Sequence, residues 1–280
     1  MPFDIPSLPL GRWIESGLMW LTSEYSIVTR SISRVTQTGI GWLNEMLMWV
    51  PEWAFIIAVA ALCWRLSSPR LAIGAAAGLA LIGNLGLWSP MIETLTLVVI
   101  ATLVAVVIAL PVGIAAALSE RLYRLIMPLL DFMQTMPAFV YLIPAIPFFG
   151  IGSVSAIFAT VIFSMPPAIR FTTLGIRQVP VELIEAADAY GATRSQKLFK
   201  VQLPLSLPTV MAGINQTIML ALSMVVIAAM IGADGLGSEV WRAIQRLRPG
   251  DGFEAGIAVV ILAMVLDRLT QSLSKPKNRE

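Results

Sequence analysis

The chain contains no histidine and only one cysteine. That excludes a His/Cys metal centre, and with the acidic residues concentrated in polar connections no catalytic constellation is visible. Cys63 cannot form an internal disulfide and lies in an apolar run, so it reads as a small core or lipid-facing residue. Charged residues make up 13% of the chain, where a soluble domain has about 25%. The formal net charge of +2 comes with no basic run interleaved with aromatics, which excludes nucleic acid as a partner. No G-x-x-x-x-G-K-[ST] phosphate loop occurs, so ATP chemistry would have to come from another subunit. Residues 1–9 lack the basic and apolar regions of a signal peptide, and no cleavage is expected.

What is present is apolar sequence, at 57% hydrophobic residues and a mean hydropathy of +0.81. An all-α polytopic membrane protein of about seven spans is expected. Residues 46–66 form the first span and include Pro51 and Glu52; residues 71–88 form the second, with Gly74 and Gly78 spaced for close helix packing. The third lies within the charge-free residues 94–119. Residues 132–169 are also charge-free and too long for one span, so Gly150 and Gly152 divide them into two. Prolines 137, 144, 147, 166 and 167 should interrupt hydrogen bonding in both. Spans at 205–231 and 255–273 complete the set, with residues 120–131 as a polar connection and 234–254 as an exposed loop. Asp267 and Arg268 are expected to snorkel from the last span.

Polar side chains at lipid depth face protein or water, which makes Asn215, Gln216 and Thr217 candidates for a pathway wall as well as for helix-to-helix hydrogen bonds. Residues 1–45 read as an extracytoplasmic, interfacial segment ahead of a transmembrane domain at 46–280. Trp13, Trp20, Trp42 and Trp49 suit interfacial anchoring better than a cation–π cage, and Ile40, Leu43, Leu47 and Val50 share one helical face.

One charged stretch, residues 180–204, interrupts the apolar sequence. Pro180 suits a helix start, and Leu183, Ala186, Ala187 and Tyr190 recur at helical spacing opposite Glu182, Glu185 and Asp188. Gly191 fits a left-handed helix end, and Thr193 with Gln196 reads as a capping box. The second helix should turn Arg194, Lys197 and Lys200 to water and Leu198, Phe199 and Val201 to protein. Leu203-Pro204 should then turn the chain back into apolar sequence.

The pattern Glu185-Ala186-Ala187, Gly191, Val201-x-Leu203-Pro204 resembles the EAA motif of the membrane-spanning permease subunits of binding-protein-dependent ABC importers. Val201 stands where that family often has isoleucine. Residues 131–144 and 201–237 are similar to the glycine betaine/proline branch. The resemblance implies a type I importer permease fold and an ATPase-coupling hairpin carried by Glu185, Ala186, Ala187, Gly191, Leu203 and Pro204. It also implies an ATP-binding cassette subunit that holds ATP and Mg, an extracytoplasmic binding protein, and a second permease copy in a homodimer surrounded by membrane lipid. This chain would hold no cofactor. Glycine betaine, proline or choline would be the substrate, in osmoprotective uptake.

About two thirds of the 19 basic residues fall on the hairpin's side of a seven-span chain, which predicts a bacterial inner-membrane protein with the hairpin and C-terminus cytoplasmic and the N-terminus outside. The competing class, an ion-coupled secondary transporter or channel, calls for charged residues deep in the spans. The second to sixth spans have none.

Overall fold

The structure is a computed structural model that describes residues 9–274. Residues 1–8 and the basic residues of 275–279, on which two expectations rest, lie outside the described residues. Every regular element among the described residues is helical: α1 (Leu10–Glu24), α2 (Ser26–Trp49), α3 (Glu52–Leu66), α4 (Pro69–Asn84), α5 (Trp88–Leu118), α6 (Glu120–Thr135), α7 (Leu142–Phe149), α8 (Ser153–Arg177), α9 (Val181–Ala189), α10 (Arg194–Lys197), α11 (Leu203–Ala229), α12 (Leu236–Gln245) and α13 (Pro249–Ser274). Three helical stretches are long and apolar enough to cross a membrane: α5, α8 and the continuous Arg194–Ala229. Counting the bent pairs α2–α3 and α6–α7 as one span each raises the number to 5, so length and apolarity alone do not give seven.

Helix α8 is the axis of the bundle, because small residues let its neighbours approach closely. A Cβ added to Gly113 of α5 would lie 2.7 Å from the Thr172 Cβ, and one on Gly213 of α11 would lie 2.6 Å from that of Phe171. Leu97 of α5 and Val225 of α11 meet α8 near Ile157, whereas Gly113 and Ser206 meet it near Thr172 and Gly175. Helices α5 and α8 therefore run together and α11 runs back. The α8 C-terminus defines a hairpin end, next to α9, and its N-terminus a far end. Gly78 packs against Ile261 of α13, as close helix packing requires, while Gly74 faces open space.

Proline explains the two sharp bends. The backbone before a proline is pushed to extended geometry, and Val50 (ψ 123) and Met136 (ψ 134) both adopt it ahead of Pro51 and Pro137. The expected span at 46–66 is consequently broken, with α2 and α3 meeting at 95°. The expected polar connection at 120–131 is instead helix α6, bent by 110° from the segment that follows. In contrast, α8 continues as one helix through Pro166 and Pro167 to Arg177, eight residues past the expected end at Ile169. Ile40 and Leu47 of α2 pack on the bundle, so the predicted apolar face is used against protein.

The expected exposed loop at 234–254 is also corrected. Leu236 is fully buried, and its N–H donates to Thr94 Oγ1 at 2.8 Å. Gly235, at φ +117, makes this approach feasible: an added Cβ would sit 3.1 Å from the Thr94 nitrogen. Helix α12 is thereby pinned to α5 at the far end.

Candidate functional site

The 180–204 segment folds into two helices that close on each other. Pro180 precedes α9, and Gly191 ends it at φ +74. The Ala192 N–H donates to Ala187 O at 3.0 Å and the Gly191 N–H to Asp188 O at 2.9 Å, which together make a Schellman cap. The capping box follows: the Thr193 N–H donates to Gln196 Oε1 at 2.8 Å, and the Gln196 N–H to Thr193 Oγ1 at 3.3 Å. Lys197 Nζ lies 2.6 Å from Asp188 Oδ1 and ties the two helices side by side.

Helix α9 buries no residue. Val181 and Leu183 are exposed, and Tyr190 is 93% exposed. Glu185 and Ala186 are exposed and Ala187 is half-buried, and Glu185 has no side-chain partner among the described residues. An apolar stripe that nothing covers stands beside unpaired carboxylates, at the end of a rigidly capped arm.

The return path departs from expectation. Pro204 does not turn the chain: α10 passes into α11 through a π-helical stretch at Leu198–Gln202. Pro204 has no N–H to donate and its ring crowds the preceding turn, which a locally wider helix accommodates. Leu203 is half-buried and Pro204 exposed. Leu198 is buried as expected, whereas Phe199 is 63% exposed.

Two ion pairs brace the root of the hairpin. Arg177 at the end of α8 reaches Glu120 Oε2 at 2.8 Å and lies 4.1 Å above the Tyr123 ring. Arg170 pairs with Asp131. The hydrogen bond from Arg177 holds the Glu120 carboxyl below its usual range. No local pattern marks these pairs, because the partners are 57 and 39 positions apart.

The three pathway candidates fall in three environments, as successive residues on a helix must. Thr217 is fully buried and its hydroxyl donates to Gly213 O at 3.0 Å. Asn215 Nδ2 donates to Asp267 Oδ1 at 2.8 Å, and Thr270 donates to Asn215 Oδ1. Asp267 also accepts from Gln271 Nε2 at 2.7 Å, so it is held between helices instead of snorkelling. Gln216 is exposed and its amide has no partner among the described residues. No group of ligating side chains suited to a metal ion occurs among the described residues.

Residues 109–275 match the family described as the binding-protein-dependent transport system inner membrane component. The chain is 49% identical over 276 residues to the glycine betaine transport system permease protein OpuAB of Bacillus subtilis, covering 98% of each chain. It is 50% identical to the glycine betaine/carnitine transport permease protein GbuB of Listeria monocytogenes, covering 99% of each. To the glycine betaine/proline betaine permease protein ProW of Escherichia coli it is 46% identical, over 98% of this chain and 77% of that one. Among solved structures, the inward-facing MetNI methionine ABC transporter superposes with a TM-score of 0.61 at 24% identity, over 65% of this chain and 91% of that one. This last likeness speaks to the fold.

Proposed function

The chain belongs to the family of binding-protein-dependent transport system inner membrane components, and from that premise we propose that it is the permease subunit of an ATP-driven importer of glycine betaine and related quaternary ammonium solutes. The observation that carries the mechanism is the free-standing hairpin: a capped arm whose first helix has no fully buried residue among the described residues. Helix α9 docks in a groove on a separate ATPase subunit, which binds ATP and Mg. Ala186 and Ala187 permit close approach there, and Glu185 pairs with a basic group of the partner or steadies the hairpin. The brace from Arg177 to Glu120, together with the uninterrupted run from α10 into α11, carries nucleotide-driven movement into the bundle.

The pathway lies against a second copy of this chain. The exposed face of α5 presents Val99, Leu103 and Val107, which lipid accommodates. The exposed face of α11 presents Leu205, Ala212, Gln216 and Ser223. An unpaired amide on a lipid-facing surface is costly, so this face is the one that a homodimer and a water-filled path cover. Gln216 lines the path, while Asn215 and Thr217 hold the wall in shape. The hairpin end is cytoplasmic, and residues 1–45 with α12 are extracytoplasmic.

Vesicles containing this chain alone should transport nothing, and adding its ATPase and binding protein should give ATP-dependent uptake of glycine betaine. Uptake by the chain alone under an ion gradient would establish a secondary transporter instead. For orientation, Ser195→Cys should react with an impermeant thiol reagent only from the cytoplasmic face, and Gln245→Cys only from outside; the reverse pattern would invert the assignment. Both positions are exposed.

A further inference from the structure

Helices α6 and α8 stand side by side with a gap between them. On α6, Tyr123, Met127 and Asp131 recur every four residues, and on α8 Arg170, Leu174 and Arg177 share one face, so two stripes oppose each other. Glu120 meets Arg177 at one end and Asp131 meets Arg170 at the other, which makes the pair antiparallel. The stripes line a cavity of about 360 Å³ at the root of the hairpin, large enough for a small molecule. Its walls carry both signs of charge, unevenly placed. At the Arg177 end two guanidiniums share one carboxylate, since Arg124 also pairs with Glu120, at 3.5 Å. Arg177 spends only Nη2 on that pair, which leaves its other N–H groups without a protein acceptor among the described residues. At the other end Asp131 accepts from Arg170 through Oδ1, and its second oxygen has no partner among the described residues. Met127 and Leu174 supply apolar wall in between.

An anion would suit the Arg177 end and be repelled by Asp131, and a cation would meet the excess of arginine. A dipolar molecule answers both ends. We propose that this cavity is a regulatory site for a small zwitterion that joins a carboxylate to a quaternary ammonium. Its carboxylate accepts from Arg177. Its ammonium, which has no proton to donate, lies against Asp131 with its methyl groups on Met127 and Leu174. The inference rests on the importer reading, which makes the transported solute such a molecule and puts the cavity on the side where that solute accumulates. A bound zwitterion ties α6 to α8 beside the Arg177–Glu120 brace and holds the root of the hairpin still, so solute already imported slows further uptake.

The test uses the complete permease, ATPase and binding protein in vesicles, preloaded with ATP and with either glycine betaine or sucrose at equal osmolality. If sucrose-loaded vesicles show no ATP-dependent uptake, the importer reading itself fails. Given that uptake, internal glycine betaine should lower the initial rate of labelled betaine entry about fivefold. Leu174→Trp fills the cavity without touching either ion pair; it should match the wild-type rate in sucrose-loaded vesicles and lose the inhibition. An uninhibited wild type, or equal inhibition in Leu174→Trp, overturns the proposal. A second measurement decides even where the tryptophan prevents assembly. In the permease–ATPase complex without binding protein, at fixed ionic strength, glycine betaine should shield Leu174→Cys from a thiol reagent, the native Cys63 being buried. Acetate and tetramethylammonium each carry one half of the dipole and should shield it far less. Labelling that betaine does not slow, or that either half slows as well as betaine does, also overturns the proposal.

Discussion

The turns at Gly191 and at Leu247 share one backbone motif at opposite ends of the molecule and differ in the residue at its left-handed position. At the hairpin end the residue is glycine at φ +74, with open space where a Cβ would be. Reversal of the chain is all that position supplies. At the far end a leucine adopts φ +53 against a preference of about 1–2 kcal/mol and points into solvent. The difference separates a position whose residue suits the backbone from one whose residue is strained by it. The exposed apolar side chains of the hairpin lie on and just after α9, where Val181, Leu183 and Tyr190 remain uncovered.

The contrast is tested most severely at Gly191. Gly191→Val meets no steric obstacle, so any damage must come from positive φ, where a β-branched residue is strained by about 1–2 kcal/mol or more. Relief requires the two helices to swing apart. Uptake by the reconstituted complex should be abolished while the protein still inserts in the membrane, with the ATPase either lost from the complex or no longer stimulated by loaded binding protein. Gly191→Asn, which tolerates the left-handed region, should retain most uptake. Normal association and stimulation in Gly191→Val would detach coupling from this hairpin.

The neighbours Asn215 and Gln216 carry the same distinction into the bundle, with a smaller effect. Asn215→Leu removes a donor to Asp267 and an acceptor of Thr270, and although Gln271 still donates to Asp267, each lost part-buried hydrogen bond costs about 0.5–1.5 kcal/mol. Its melting temperature in detergent should fall. Gln216→Leu breaks no bond among the described residues, so melting should be unchanged while the betaine uptake rate drops several-fold. Equal destabilisation by both substitutions would remove Gln216 from the pathway wall.

The hairpin's reversal was readable in the sequence because the bonds that shape it are local: a proline start, a glycine stop and a capping box whose partners are three positions apart, whereas its return path and the ion pairs at its root were not. Membrane character and the division at Gly150 and Gly152 were readable for the same kind of reason, a long apolar run punctuated by residues with fixed backbone preferences. The buried turn at 235–237 was not. Aspartate and glycines read as a solvated loop, and only the tertiary fold brings Thr94 to the Leu236 N–H, 142 positions away. Asp267 misled in the same way: its place near a helix end suggested snorkelling, whereas its partner Asn215 is 52 positions distant. The pairing could have been suspected, since Asn215 needed a partner and Asp267, Thr270 and Gln271 share one helical face. Prolines signalled breaks without saying which would bend a helix. Pro51 and Pro137 do, after extended residues, while Pro166 and Pro167 are packed inside α8.

The smallest expected effect is also the sharpest test of the contrast, because its sign follows from backbone strain alone. Leu247→Gly removes a left-handed leucine and should relieve about 1–2 kcal/mol of strain. Glycine gives back roughly 0.5–1 kcal/mol of this through the greater freedom of the unfolded chain. The lost side chain was 88% exposed, so little burial is forfeited. A net gain of up to about 1.5 kcal/mol should raise the melting temperature by up to about 3 °C, measured at a fixed scan rate because membrane complexes unfold irreversibly. Leu247→Ala keeps the strain and should show no rise. A melting temperature that did not rise in Leu247→Gly would show that the left-handed leucine is unstrained, and the two reversals would then differ only in side chain.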